Sequence, residues 1–352
     1  MTKAMRIAIV APPYYEIPPQ GYGGTELICY LLAEGLADRD HDVTVIGAGP
    51  RRTRAQFIAT FPEAQPEGGE SAAQTELSHA QLAAAAIEEV GPDVVHVHTT
   101  ELPAISRAIP VVVTVHGAVR GPDATNARLD AMAMRACLVA VSRSQAAAAP
   151  HAGWAAVVHN GIDLRRYPLG GQRGEMVLYL GRISPHKGTH IAIDAAMAAG
   201  RRLVIAGAGT IPEERAYFDS EIRPRLGRNV VWVGEQGFDS KVELLGRAAC
   251  LLFPACWEEP FGLVLVEAMA CGTPVVALSA GAVPELVVNG ESGVLCESPA
   301  DLIAAIGQAA QLDPRRCRAH VERHFGAARM VMDYENIYRR LIKGRAGRPR
   351  QR

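Results

Sequence analysis

The stretch 250–277, CLLFPACWEEPFGLVLVEAMACGTPVVA, reads as strand, loop, helix and strand. Residues 250–253 and 274–277 are short apolar runs of strand length. Between them, 262–270 is apolar or glycine except for Glu267. A buried strand, a helical crossover and a second buried strand make a parallel pair. Glu259 and Glu267 stand eight residues apart in this unit. A carboxylate at Glu267 is expensive, because a buried unpaired charge costs several kcal/mol. A single solvent-facing glutamate is the plainer reading, but the apolar run leaves little room for a wet stripe. Polar groups of a bound ligand are one way to offset the cost.

The same alternation extends outward in both directions. Strands are expected in the second half at 176–180, 202–206, 230–233, 250–253, 274–277 and 293–295. In the first half they are expected at 6–10, 42–46, 94–98, 111–115, 137–141 and 155–159, with a helix over 25–37. Continuous apolar strands separated by helices imply parallel sheets covered on both faces. The polar stretch 51–78 reads as a surface excursion. The pattern pauses at Asn160-Gly161-Ile162-Asp163 and again at Gly170-Gly171-Gln172-Arg173-Gly174, and this glycine cluster is the best boundary. The expectation is an α/β chain of two doubly wound Rossmann-like domains without a visible sequence repeat. The final helix, about 327–341, places Met330, Tyr334, Ile337, Tyr338 and Leu341 on one stripe. Lys343, Arg345, Arg348, Arg350 and Arg352 then read as a solvated, flexible end.

Bulk properties narrow the function. At 352 residues the length suits about two domains. Net charge is −1 and aromatic content is 5%, which disfavours a nucleic-acid surface. The seven cysteines form no C-x-x-C pair, as expected of free thiols in a reducing cytoplasm. Residues 5–11 read as a first strand rather than a signal peptide, and no apolar run reaches the roughly 18 residues that span a bilayer. The location expected is cytoplasmic, with peripheral contact at the inner membrane face left open, as is the oligomeric state.

Open α/β sheets bind ligands beyond the carboxyl ends of their strands. After the first strand comes Gly21-Tyr22-Gly23-Gly24-Thr25-Glu26, where glycines admit a ligand to a helix N-terminus. After the first strand of the second half comes Gly181-Arg182-Ile183-Ser184-Pro185-His186-Lys187-Gly188. Its two cations suit a diphosphate, though they could equally decorate a surface loop. Gly207-Ala208-Gly209 and Gly47-Ala48-Gly49 lack the third glycine of a dinucleotide fingerprint, which disfavours hydride transfer. Asp38-Arg39-Asp40 spells D-x-D but falls at the wrong edge of the sheet and reads as surface charge. His96 and His98 share a strand face without an identifiable third metal ligand. His98 reads as a cleft or core residue, and His116 ends a strand at the equivalent edge.

Taken in order, these segments resemble the retaining nucleotide-sugar glycosyltransferases of family 4, which have the GT-B fold of two Rossmann-like domains facing each other across a cleft. The matching pieces are Gly23-Gly24-Thr25-Glu26, His41-Asp42-Val43-Thr44-Val45, Asn160-Gly161-Ile162-Asp163, Gly181-Arg182 with Lys187-Gly188, Glu259 with Glu267, 270–276 and 281–285. The resemblance implies an acceptor-side domain at 1–168, joined by a C-terminal helix at 326–343, a donor domain at 169–325 and a basic tail at 344–352. It implies that Arg182 and Lys187 hold the donor diphosphate and that Glu267 accepts from the ribose hydroxyls. Glu259, with the backbone N–H groups of Phe261, Gly262, Leu263 and Val264, would orient the sugar and phosphates. His116 would contact the donor sugar, and Gly23, Gly24 and Gly207 would line the donor path. Tyr14, His98 and Thr99 fall on the acceptor side. Glu258 directly precedes Glu259, so spacing alone sets which of them faces the sugar.

The function so implied is transfer of a sugar from a nucleoside-diphosphate sugar, UDP favoured and GDP next, to a hydroxyl acceptor, with no metal or other cofactor. A nucleotide-sugar epimerase and a non-catalytic nucleotide-sugar-binding subunit are the alternatives on the same scaffold.

Overall fold

The computed structural model describes residues 3–346, apart from 69–70, 120–122, 172 and 210. They pack as two compact units, Met1–Gly161 with Ala327–Arg352, and Ile162–Gly326. Residues 162–174 therefore belong to the second unit, ahead of the division suggested by the glycine cluster. Hydrogen bonds hold them there: Gly170 N–H donates to Cys271 O at 2.9 Å and Gly174 N–H to Arg247 O at 2.8 Å. Gln172 of that cluster and residues 347–352 of the basic tail lie outside the described residues.

In the first unit the strands are β1 (Arg6–Val10), β2 (Asp42–Ala48), β3 (Gln56–Phe61), β4 (Val94–Val97), β5 (Val111–Val115), β6 (Cys137–Ala140) and β7 (Ala156–Val157). Among the described residues they form one sheet in the order β3-β2-β1-β4-β5-β6-β7, each neighbouring pair parallel. Helices α1 (Gly24–Ala37), α2 (Ala72–Val90), α3 (Asp123–Ala133) and α4 (Arg143–Ala148) accompany it. Ile9 is in register with Val45 on one side and His96 on the other, so β1 is central, and Ile7 to Val10 are wholly buried. The expectation of a surface excursion over 51–78 is corrected. It contains β3 and the start of α2, and β3 is a half-exposed edge strand. An edge strand needs less apolar sequence than a central one, so its signal is weak.

The C-terminal helix, Ala327–Ala346, packs on α1. A Cβ at Gly35 would come within 2.5 Å of Val331 Cγ2, so the two helices touch along this line. Met330, Tyr334, Ile337 and Tyr338 are buried, and Leu341 is half-buried. Glu335 meets Arg39 and Arg339, each at 2.6 Å, and lies 3.3 Å from His41 Nε2. Asp38 and Arg39 of the D-x-D are thus spent on ion pairs, Asp38 with Arg54 at 2.8 Å. His96 is a core residue. Its Nδ1 shares a hydrogen bond of 2.6 Å with Tyr338 OH and its Nε2 one of 2.8 Å with Thr114 Oγ1.

The second unit repeats the plan. Its strands are β8 (Val177–Leu180), β9 (Leu203–Ala206), β10 (Val230–Trp232), β11 (Cys250–Phe253), β12 (Val275–Leu278) and β13 (Gly293–Cys296), ordered β10-β9-β8-β11-β12-β13 and parallel throughout. Its helices are α5 (Thr189–Ala198), α6 (Pro212–Tyr217), α7 (Phe238–Arg247), α8 (Leu263–Ala270), α9 (Val283–Leu286), α10 (Asp301–Ala309) and α11 (Pro314–His324). Both sheets run third, second, first, fourth, fifth, sixth. The strand order reverses between β1 and β4 and between β8 and β11, and ligands of doubly wound folds sit beyond the carboxyl ends of such strands. No described helix is long and apolar enough to cross a membrane.

Candidate active site

The reversal point of the second unit gathers most of the residues singled out in the sequence. The loop after β8 carries Arg182 and Lys187, and the loop after β11 carries Glu259. Cys256 N–H donates to His186 O at 2.8 Å, which ties the two loops together. Lys187 Nζ donates to Glu259 Oε2 at 2.5 Å, and Trp257 Nε1 donates to the same oxygen at 2.9 Å. The ammonium also stands 4.8 Å from the centre of the Trp257 ring, close enough for a cation–π contribution. Glu259 is buried while Glu258 is exposed, so it is Glu259 that meets the lysine. Ala282 N–H donates to Glu259 O at 2.9 Å, and a Cβ on Gly281 would overlap the Glu259 backbone. The segment 281–285 thus braces the glutamate from behind.

Arg182 Nε lies 3.2 Å from Glu214 Oε1, an ion pair rather than an aligned hydrogen bond. Glu214, in α6, is only 3% exposed. Gly207, at the end of β9, has φ of +141°, and a Cβ there would overlap Gly181 O. Glycine at 207 is what lets the turn before Arg182 sit against β9.

Glu267 is the fifth residue of α8 and 5% exposed, which removes the solvent-facing reading. Part of the compensation comes from the chain itself. Lys241 Nζ of α7 and the Tyr167 hydroxyl both donate to Glu267 Oε1, each at 2.6 Å. Oε2 has no partner among the described residues and stays available as an acceptor. Phe238 completes this corner, edge-on to Tyr167 and beneath the Arg166 guanidinium at 3.7 Å. Of 261–264, Phe261 is buried with its ring toward Phe325, Gly262 caps α8, and Leu263 and Val264 are half-buried in its first turn. A helix N-terminus carries unpaired N–H groups and a partial positive charge.

The remaining candidates belong to the first unit. Gly23 precedes α1 and Gly24 begins it. His98 Nδ1 and His116 Nε2 share a hydrogen bond of 2.8 Å. Burial pushes His116 down to about 4, and burial with the neighbouring imidazoles holds His98 well below its usual range. Both are therefore neutral at pH 7. Tyr14 OH donates to Glu76 Oε1 at 3.0 Å, and the Thr99 hydroxyl donates to Glu101 O at 2.8 Å. Among the described residues no three His, Cys, Asp or Glu side chains converge to hold a metal ion. Glu214, Lys241, Tyr167 and Trp257 escaped the sequence reading. Only the paired acids of Pro212-Glu213-Glu214 offered a signal, and nothing near Lys241 distinguishes it from the other charges of an amphipathic helix.

The family model Glycosyltransferase Family 4 matches residues 22–166, and Glycosyl transferases group 1 matches residues 168–321. The chain is 31% identical over 380 residues to a glycogen synthase of Mycobacterium tuberculosis H37Rv, covering 91% of this chain and 90% of that one. It is 36% identical over 157 residues to a D-inositol 3-phosphate glycosyltransferase of Mycolicibacterium smegmatis, covering 40% and 36% of the two chains. Among solved structures, AviGT4, a glycosyltransferase involved in avilamycin A biosynthesis, is 26% identical with a TM-score of 0.75, covering 97% of this chain and 98% of that one. The two units are the Rossmann-like domains of a GT-B fold. The chain belongs to the group 1, family 4 glycosyltransferases and is a glycosyltransferase enzyme.

Proposed function

We propose that the enzyme transfers a sugar, with retention of configuration and without a metal, from a UDP-sugar, or failing that a GDP-sugar, to an acceptor hydroxyl. The observation that carries this reading is the set of paired charges at the β8–β11 reversal point: Lys187 with Glu259, Arg182 with Glu214, and Glu267 with one oxygen unused. Arg182 and Lys187 are fixed cations beside strand ends, where a leaving diphosphate develops charge. The first turn of α8 adds its N–H groups and dipole. Glu267 Oε2 accepts from a ribose hydroxyl while Lys241 and Tyr167 hold the other oxygen. The bond from the sugar carbon to the diphosphate breaks, and one from the acceptor oxygen forms on the same face. The acceptor proton passes to the departing phosphate, so no protein base is required. The roles of His116, Gly23 and Gly24 toward the donor rest on the family resemblance. A cytoplasmic location belongs to the same reading.

Arg182→Ala and Lys187→Ala test it. Each removes one charge-assisted contact, worth about 1.5–3 kcal/mol, and turnover should fall at least about tenfold. The donor is found first, by thermal shift across UDP-, GDP- and ADP-sugars, because a bound donor raises the midpoint by mass action. Unchanged turnover in both variants overturns the donor site.

A further inference from the structure

Glu259 and Glu267 are held by the same device. Each gives one oxygen to a lysine and to an aromatic donor. For Glu259 Oε2 these are Lys187 and the Trp257 indole, and for Glu267 Oε1 they are Lys241 and the Tyr167 hydroxyl. In both, the second oxygen has no partner among the described residues.

The two lysines differ in what else is asked of them. An ammonium has several N–H groups, and under the proposed reading the donor diphosphate calls on Lys187 as well. Diphosphate and Glu259 are both anions, so they compete for one cation that stands 2.5 Å from Glu259 Oε2. When the phosphate draws the lysine, Glu259 is left with a side chain only 10% exposed, less positive charge beside it and a second anion nearby. A carboxylate in that position needs another donor.

Trp257 is that donor. An indole N–H is neutral, only donates, and here is already committed to Glu259 Oε2 at 2.9 Å. The backbone ties the same two residues together, because Trp257 O accepts from Glu259 N–H at 2.9 Å. The half-buried indole is itself fixed from the neighbouring loop. Its ring centre lies 5.5 Å from that of His186, whose carbonyl accepts from Cys256 N–H at 2.8 Å. Its face also lies 4.8 Å from Lys187 Nζ. The indole thus touches both members of the ion pair, the carboxylate through its N–H and the ammonium through its ring.

We propose that Trp257 is a positioning residue for transfer: it keeps the Glu259 carboxylate in place when Lys187 turns to the donor diphosphate, so that Oε1 stays available to a hydroxyl of the sugar. This rests on the reading of Arg182 and Lys187 as the diphosphate clamp of a sugar transferase. One lysine then serves two anions in turn without loss of sugar orientation.

The three tryptophans give three indole N–H signals in a 1H–15N spectrum of the full chain. Trp154 and Trp232 donate to the backbone carbonyls of Ala149 and Gly207, each at 2.8 Å, and Trp257 alone donates to a carboxylate. Trp154→Phe and Trp232→Phe assign the Trp257 signal by elimination. Glu259→Gln should move that signal upfield. Adding UDP, GDP or ADP, whichever raises the melting midpoint, should hold it in place or move it downfield, as the lysine leaves the shared oxygen to the indole. Trp257→Phe keeps a ring beside Lys187 and removes the N–H. Its affinity for the nucleoside diphosphate should stay within about twofold of wild type, while kcat with the matching nucleotide sugar falls at least about tenfold. A signal that ignores Glu259→Gln, or moves upfield on adding the diphosphate, overturns the proposal. So does a Trp257→Phe kcat within about twofold of wild type, or one that falls only in step with diphosphate affinity. A protein that binds none of the diphosphates or their sugars refutes the donor-site reading beneath the proposal, and the proposal with it.

Discussion

Lys241→Met removes the cation that holds Glu267 while keeping a side chain of similar length. The ammonium lies 2.6 Å from Glu267 Oε1, and the two side chains are 18% and 6% exposed. Removing one partner of a buried pair costs about 3–5 kcal/mol when the other charge is stranded. Two features reduce the loss. Tyr167 OH still donates to the same oxygen at 2.6 Å, and the exposure of Lys241 lets water reach the vacated position. Losing one of two charge-assisted hydrogen bonds then leaves a cost of about 2 kcal/mol. For a unit of this size each kcal/mol lowers the midpoint by about 2–4 °C, so its calorimetric transition should fall by about 4–8 °C. The double variant Lys241→Met with Glu267→Gln removes the stranded charge along with its partner and should recover more than half of that loss. A single variant that melts with the wild type refutes the pairing, and a double variant no better than the single refutes the charge argument.

Three further outcomes follow from particular geometry. Gly207→Ala places a Cβ against Gly181 O at a φ of +141°, so it should destabilise the second unit by at least about 2 kcal/mol in urea and weaken nucleotide binding; an unchanged midpoint would show that the two turns part freely. Glu26 titrates near 4.5 when unfolded and at about 8 when folded, so the folded state binds more protons between those values and loses stability as pH rises through them; Glu26→Gln should therefore gain on the wild type from pH 5 to pH 8, and parallel stability curves would contradict this. His116 stays neutral down to about pH 4, whereas the unfolded imidazole protonates near 6.5, so the first unit should lose stability as pH falls through that window; His116→Gln should flatten the loss, measured as denaturant midpoint against pH.

The sequence showed the strands that the fold buries on both faces. Residues 6–10, 111–115 and 250–253 were legible because a central parallel strand admits little but apolar side chains. β3 was not, since an edge strand tolerates the mixed sequence of 56–61. The common strand order of the two units was hidden too, because order is set by which strands pair and leaves no repeat in the residues. At the site, the sequence offered Arg182 and Lys187 as cations awaiting a ligand and Glu267 as a carboxylate awaiting one. Each already has a partner from a distant element: Glu214 in α6, Glu259 after β11 and Lys241 in α7. Such partners lie 26 to 72 residues away along the chain, and no periodicity connects them. Their presence changes what binding measures. A diphosphate reaching Lys187 must replace or share a carboxylate at 2.5 Å, so affinity reports the difference between two anions rather than the whole attraction of one. The pairing positions the two cations near strand ends, and under the proposed reading a donor reaches them only by sharing or displacing Glu214 and Glu259.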